Sequence, residues 1–154
     1  DTEVAGYMAE LAGTGRYEVS DAVKAVIGKH FVGGYCSDDE TKSAINKVYT
    51  ENGYLMDTHT AVAYNKLAAY RKDTGCVTPA VVVSTASPYK FCNSVLQALG
   101  QESDAPGTEL IEKLSEVTKT AIPKPLEGLD RREKRFELVV DKPEMKATVA
   151  DFLK

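Results

Sequence analysis

Apolar residues along most of the chain recur at intervals of three and four positions, with polar residues between them. This spacing places the apolar side chains on one face of an α-helix. The predicted helices carry Val4, Met8 and Leu11; Val23, Val26 and Ile27; Ile45, Val48 and Tyr49; Val62, Leu67 and Tyr70; Phe91, Val95 and Leu99; Leu110, Ile111, Leu114 and Val117; and Met145, Val149 and Phe152. The pattern therefore predicts a helix-rich chain.

Residues at the ends of these stretches support the assignment. Ser37 with Glu40 forms the S-x-x-E capping box, and Asp141 with Glu144 frames a second capped start. The alanine-rich helix over residues 60–70 is expected to end near Gly75. The acidic run over residues 38–40 suits the positive end of a helix dipole and needs no bound ligand.

The stretch "PAVVVS", residues 79–84, departs from the helical pattern. A continuous β-branched run is typical of a strand buried on both faces of a parallel sheet. Ser87 followed by Pro88 predicts that a helix begins immediately afterwards. The alternation in "RFELVV", residues 135–140, predicts a short strand, and "HFVGGYC" predicts a loop or a short strand. We therefore expect a helix-rich α/β fold with a few mostly parallel strands.

Composition narrows the class of protein. The length of 154 residues suits a single domain, and a net charge of −4 argues against a nucleic-acid partner. No apolar run is long enough to cross a membrane, and the N-terminus resembles no secretion signal. The chain opens on Asp1, so we expect it to be processed or to derive from a longer protein.

Cysteines and charged clusters offer little chemistry of their own. Three widely spaced cysteines fit neither a disulfide framework nor a zinc site, and they indicate a reducing cytoplasm. With two histidines in the chain, we predict no metal site. The basic cluster Arg131, Arg132, Lys134 and Arg135 contains Glu133, and we interpret it as a solvated surface.

Hydroxyl side chains follow the predicted strand at the position where open α/β sheets bind ligands. Ser84, Thr85 and Ser87 lie in this turn. Ser87 is the expected helix cap, and the other two hydroxyls have either a ligand or local backbone groups as partners. The G-x-S-x-G elbow is absent, which argues against a serine nucleophile.

A second polar group precedes the alanine-rich helix. Asp57, His59 and Thr60 lie at its entrance, where helix capping explains the aspartate and the threonine. His59 is either a packed side chain or a group that transfers protons, because the ordinary histidine pKa is near neutral.

These two segments resemble a known family. "MDTHTAVA", Met56–Ala63, resembles the D-P-H-T-A-V-A segment of bacterial and fungal-type threonine synthases. "VVVSTASPYKF", Val81–Phe91, resembles their V-L-[SA]-T-A-x-P-x-K-F segment, and the two follow in the family's order. The resemblance extends to "FVGGYCSDDET" and covers most of residues 1–100. Thr58 stands where the family commonly has proline.

The resemblance implies a fold and an activity. Threonine synthases are pyridoxal-phosphate enzymes of the second fold type, related to the tryptophan synthase β subunit. They convert O-phospho-L-homoserine and water to L-threonine and phosphate. The chain is then a single C-terminal fragment, residues 1–154. Residues 1–100 belong to the cofactor domain, and residues 101–154 form a helical extension with a short strand.

The resemblance also implies site residues. Enzymes of this fold type place a serine or threonine hydroxyl against the pyridine nitrogen of the cofactor. Thr85 is our first choice for this contact and Ser84 the second. The possible active-site wall is formed by Asp57, His59, Thr60 and Lys90, although Lys90 also fits a plain surface lysine.

The family's Schiff-base lysine and glycine-rich phosphate cradle lie upstream of the matched region. We therefore expect no catalytic residue in this chain, no activity from the chain alone, and packing against the N-terminal portion of the same enzyme. An exposed apolar face would let the isolated chain associate with itself. Two alternatives remain: another enzyme of this fold type, such as a threonine dehydratase, or a free-standing binding module without catalysis.

Overall fold

α-Helices form the regular structure of the chain. A computed structural model describes residues 1–105, 107–133 and 135–154. The helices are α1 (Thr2–Thr14), α2 (Asp21–Gly28), α3 (Asp38–Asn52), α4 (Thr58–Thr74), α5 (Cys92–Ala98), α6 (Glu109–Thr118) and α7 (Met145–Phe152). Short 3₁₀ turns cover Pro88–Phe91, Lys124–Leu126, Leu129–Arg131 and Lys142–Glu144.

The hydrophobic core lies among the four central helices. Helix α3 packs against both α4 and α5, and α5 packs against α6. Ile45, Val95, Leu96 and Leu114 are fully buried at these contacts, at the positions that the apolar spacing predicts or directly beside them. Burial of such side chains is the main source of stability for a helical core.

Two side chains of α3 donate hydrogen bonds to the C-terminal ends of α5 and α6. The Asn46 amide donates to the Ala98 carbonyl of α5 at 2.9 Å, and the Tyr49 hydroxyl donates to the Thr118 carbonyl of α6 at 3.1 Å. Carbonyls in the last turn of a helix have no intrahelical partner. The two α3 side chains therefore satisfy groups that would otherwise require water.

Several local predictions are confirmed. The capping box of Ser37 and Glu40 begins α3, and the box of Asp141 and Glu144 begins the 3₁₀ turn before α7. Gly75 ends α4 with φ of 69°, a conformation that glycine adopts without strain.

The expectation of an α/β fold with mostly parallel strands is wrong. Residues 79–84 lie outside the helices, and the described residues contain no β-strand. Val81 is 91% exposed, although the pattern predicts burial on both faces. Residues 135–140 likewise form no strand in the described part of the chain. A β-branched run favours extended backbone, whereas a strand also requires a neighbour that accepts and donates ladder hydrogen bonds.

Some predicted apolar faces remain exposed. Helices α1, α2 and α7 bury none of their described residues, and Val4, Val26 and Phe152 are each more than half exposed. In α4 the buried residues are Thr60 and Ala61 at its start, not the apolar residues further along. Amphipathic spacing therefore predicts these helices correctly but does not predict what covers them.

Two surface features complete the fold. Arg131, Arg132 and Arg135 are exposed, and Lys134 of the same basic cluster lies outside the described residues. Within the described ranges, no helix is both long enough and apolar enough to span a bilayer.

Candidate functional site

Asp57 is the N-cap of α4. Its Oδ1 atom accepts hydrogen bonds from the His59 N–H at 2.8 Å and the Thr60 N–H at 3.2 Å. The first N–H groups of a helix lack intrahelical partners, and an aspartate at the cap satisfies them. The Asp57 side chain is completely buried, so the cap is shielded from water.

The other carboxylate oxygen of Asp57 connects the two motifs. Oδ2 accepts hydrogen bonds from the Thr60 hydroxyl and, at 3.4 Å, from the Ser84 hydroxyl. Oγ1 of Thr60 also lies 3.0 Å from Oγ of Ser84. We call these three residues the Asp57–Thr60–Ser84 cluster. The cluster holds Ser84, the last residue of the stretch 79–84, against the first turn of α4.

The charge of Asp57 is set by opposing effects. Burial raises the pKa of its carboxyl group. The Thr60 hydroxyl and N–H, the His59 N–H and the Ser84 hydroxyl lower that pKa by more, so it lies below its ordinary value. Asp57 is therefore a buried carboxylate at neutral pH, and these hydrogen-bond donors stabilise its negative charge.

A second group of side chains surrounds the Phe91 ring. The His59 ring stacks on it, with centroids 5.0 Å apart and planes 25° apart, and Lys90 Nζ lies 5.5 Å from the Phe91 centroid. His59 Nδ1 lies 3.2 Å from the Thr58 hydroxyl and 3.9 Å from Asp57 Oδ1. The His59 side chain is 62% exposed, so its imidazole is accessible beside the cluster.

The remaining hydroxyls of the turn have different roles. Ser87 caps the 3₁₀ turn that begins at Pro88, accepting the Tyr89 N–H at 3.3 Å, which confirms its prediction as a helix cap. Thr85 is exposed, and within the described residues its hydroxyl makes no hydrogen bond. Ser84 and Thr85 are both exposed, and of the two only Ser84 makes side-chain hydrogen bonds among the described residues.

Residues of α4 line two surface depressions. A groove of about 830 Å³ runs between residues 32–35 and α4, and among the described residues none of the predicted site residues lines it. A shallower pocket of about 420 Å³ lies at the starts of α3 and α4, where it is lined by Cys36, Asp38, Thr41, Thr58, His59 and Val62.

The predicted site residues thus form two adjacent groups. Asp57, Thr60 and Ser84 are hydrogen-bonded, and His59 and Lys90 both contact the Phe91 ring. Sequence reasoning missed the direct hydrogen bonds between Ser84 and the α4 cap, and it missed Phe91 as the shared contact. Their common signal was that both segments resemble the same family.

Comparisons with known proteins show the family of this chain. The family model described as "Threonine synthase, C-terminal" matches residues 60–150. "Threonine synthase-like 1" of Mus musculus is 36% identical over 110 residues, which cover 71% of this chain and 14% of that protein. Threonine synthase of Schizosaccharomyces pombe is 34% identical over 99 residues, covering 64% of this chain and 19% of that protein.

A solved structure shows the same relationship. The crystal structure of pyridoxal-phosphate-bound threonine synthase from Brucella melitensis superposes with a TM-score of 0.56 at 29% sequence identity. The match covers 79% of this chain and 24% of that chain. The chain thus spans less than a quarter of the length of each of these relatives. Because the family model covers more than half of the residues, the chain belongs to the threonine synthase family and matches its C-terminal part.

Proposed function

We propose that the chain is the C-terminal part of a threonine synthase that converts O-phospho-L-homoserine and water to L-threonine and phosphate. The observation that carries the proposal is the family match over residues 60–150, within which Thr60 and Ser84 of the two motifs meet. A threonine dehydratase or a binding module remains the alternative function, but no observation favours either.

The proposed cofactor is pyridoxal phosphate, which the Brucella melitensis relative binds. When bound, this group supplies an electron sink for chemistry at the substrate. Side chains of this chain suit the edge of the cofactor ring that carries the nitrogen. The Thr85 hydroxyl is exposed and can donate or accept a hydrogen bond, so it suits a ring nitrogen in either protonation state. Ser84 is the weaker choice because its hydroxyl is bound to Asp57.

The charges near Thr85 support a contact between the ring nitrogen and an uncharged side chain. The Asp57 carboxylate is buried and surrounded by donors, so it does not offer a free negative charge to a ring nitrogen. His59 and Lys90 form the proposed active-site wall, where the exposed imidazole can exchange a proton and the ammonium group can face an anion.

We assign the Schiff-base lysine and the cofactor-phosphate cradle to the part of the enzyme that this chain does not match. The exposed apolar faces of α1 and α2 support packing against that part. In its absence the same faces would promote association of the isolated chain with itself. A cytoplasmic location suits the three free thiols.

The complete product of the gene that encodes this chain is expected to release phosphate and L-threonine in equal amounts from O-phospho-L-homoserine when pyridoxal phosphate is present. Thr85→Val should lower kcat/KM roughly fivefold, because one hydrogen bond worth about 1 kcal/mol is lost. Phosphate release and amino-acid analysis measure both effects.

Thr50→Val is the matched control, since Thr50 is an exposed threonine on α3 outside the site. Conversion of threonine to a 2-oxo acid and ammonia, without phosphate release, would support the dehydratase instead. Absence of any turnover by the loaded protein would contradict an enzymatic role.

The isolated chain is expected to form no specific lysine link to pyridoxal phosphate and to produce no threonine. Its absorbance spectrum with the cofactor should match that of the urea-unfolded chain, which contains the same lysines. Sedimentation of the same sample at increasing concentration should show self-association. A saturable absorbance band at one cofactor per chain would contradict the assignment of the lysine to another part of the enzyme.

A further inference from the structure

Residues 78–84, which we call the extended segment, are hydrogen-bonded to α4 and its cap near both ends of the segment. Near its start, Arg71 Nη2 from the last turns of α4 donates to the Thr78 carbonyl at 2.8 Å. Near its end, Ser84 joins Asp57 and Thr60 at the beginning of α4. The segment therefore runs back along the helix after the turn at Gly75.

The lengths of the two elements agree with this arrangement. From Thr78 to Ser84 an extended chain spans about 20 Å at roughly 3.3 Å per residue. From Thr60 to Arg71 a helix rises about 17 Å at 1.5 Å per residue. An extended segment of this length can therefore reach both contacts without a bulge or a loop.

The two ties differ in their surroundings. Arg71 lies at the surface, where a hydrogen bond competes with water. At the other end, the Asp57 side chain is completely buried and already held by two backbone N–H groups. The Ser84 hydroxyl lies 3.0 Å from Thr60 Oγ1 and 3.4 Å from Asp57 Oδ2, so its shorter contact is to a hydroxyl that is itself hydrogen-bonded to the buried carboxylate.

This anchoring bears on the next residue. Thr85 directly follows Ser84, so the contacts that fix Ser84 also restrict where Thr85 can lie. Both residues are exposed, but within the described part of the chain only Ser84 makes side-chain hydrogen bonds. No ladder hydrogen bonds hold this segment in the described part of the chain, so its side-chain ties determine where the Thr85 hydroxyl lies.

We propose that Asp57 and Thr60 are positioning residues which, through Ser84, hold the end of the extended segment against α4 and thereby orient the Thr85 hydroxyl toward the cofactor. The orienting role rests on the proposed function, whereas the anchoring of the segment does not. This role requires no contact between the cofactor and either Asp57 or Thr60.

The test uses backbone ¹⁵N order parameters of the isolated chain. In the unmodified chain the amides of residues 83–86 should have values near 0.85, the level typical of rigid backbone. Ser84→Ala should lower them to about 0.6 or less, the level of flexible backbone, while the α5 amides of Val95 and Leu96 stay unchanged. Ser84→Thr, which retains a hydroxyl, should restore rigidity.

Arg71→Ala is the matched control because it removes the tie at the other end of the segment. It should leave residues 83–86 rigid. The proposal is overturned if these residues are already flexible in the unmodified chain, if Ser84→Ala leaves them rigid, if Ser84→Thr fails to restore them, or if Arg71→Ala loosens them equally.

The outcomes separate the two proposals. If Ser84→Ala loosens the segment but Thr85→Val leaves kcat/KM of the complete gene product unchanged, the anchoring stands and the cofactor contact of Thr85 is wrong. If Thr85→Val lowers turnover but Ser84→Ala leaves the segment rigid, the contact stands and Asp57 and Thr60 do not position it.

Discussion

Replacing Leu96 with alanine is expected to lower the free energy of unfolding by about 3 kcal/mol, within the range of roughly 2 to 5 kcal/mol for buried leucines. Leu96 is fully buried on α5, the helix that contacts both α3 and α6. The substitution removes apolar contacts and leaves a cavity that the surrounding helices fill only in part. Urea unfolding followed by far-ultraviolet circular dichroism measures the change.

Leu153→Ala is the matched control for this prediction. Leu153 is 83% exposed, and substitutions at such positions change stability by about 0.5 kcal/mol or less. Equal losses for the two variants would contradict a core centred on α5.

Replacing Asp57 with alanine is expected to cost about 2 to 3 kcal/mol, because the cap and the bonds from the Thr60 and Ser84 hydroxyls are lost together. The effect should depend on pH. The pKa of Asp57 is lower in the folded chain than in the unfolded one, so its stabilising contribution is complete above the unfolded value of about 4. The contribution is lost as pH falls through the folded pKa.

Asp57→Asn separates the cap from the charge. Asparagine caps a helix about as well as aspartate but does not titrate. The stability difference between the unmodified chain and Asp57→Asn should therefore be present at pH 7 and shrink progressively below about pH 4. Urea unfolding of both proteins at pH 7 and at several values below about pH 4 measures this difference. A difference that stays constant over this range would show that the carboxylate is not stabilised by the folded state.

Local sequence patterns predicted the helices well because helix formation depends on neighbours three and four residues apart. Ser37 and Glu40 specify the start of α3 through their own hydrogen bonds, and Gly75 specifies the end of α4. No distant contact is needed for either assignment. The starts and ends of helices were therefore predictable from short segments.

The extended segment illustrates where local patterns fail. Val81 and Val83 favour extended backbone, but a strand forms only when a second segment lies beside it at hydrogen-bonding distance. In the described part of the chain these residues are exposed and lack such a neighbour. The sequence pattern wrongly predicted a strand buried on both faces.

The candidate site shows the same division. The motifs around Asp57 and Ser84 were recognisable from their resemblance to one family, which the family match supports. The resemblance ranked Thr85 above Ser84 for the cofactor contact, but no local pattern indicated which of the two hydroxyls is hydrogen-bonded within the chain, because both lie in the same turn. The long-range contact with Asp57 distinguishes them in the structure.

By itself, the sequence determined the helices, their caps and the membership of the threonine synthase family, since these depend on residue types at short spacings and on two motifs. Only the tertiary structure decided which apolar faces are buried, that residues 79–84 form no strand, and that Ser84 is bound to the start of α4. Those features depend on segments far apart in the chain, and their proximity results from packing that no local pattern encodes.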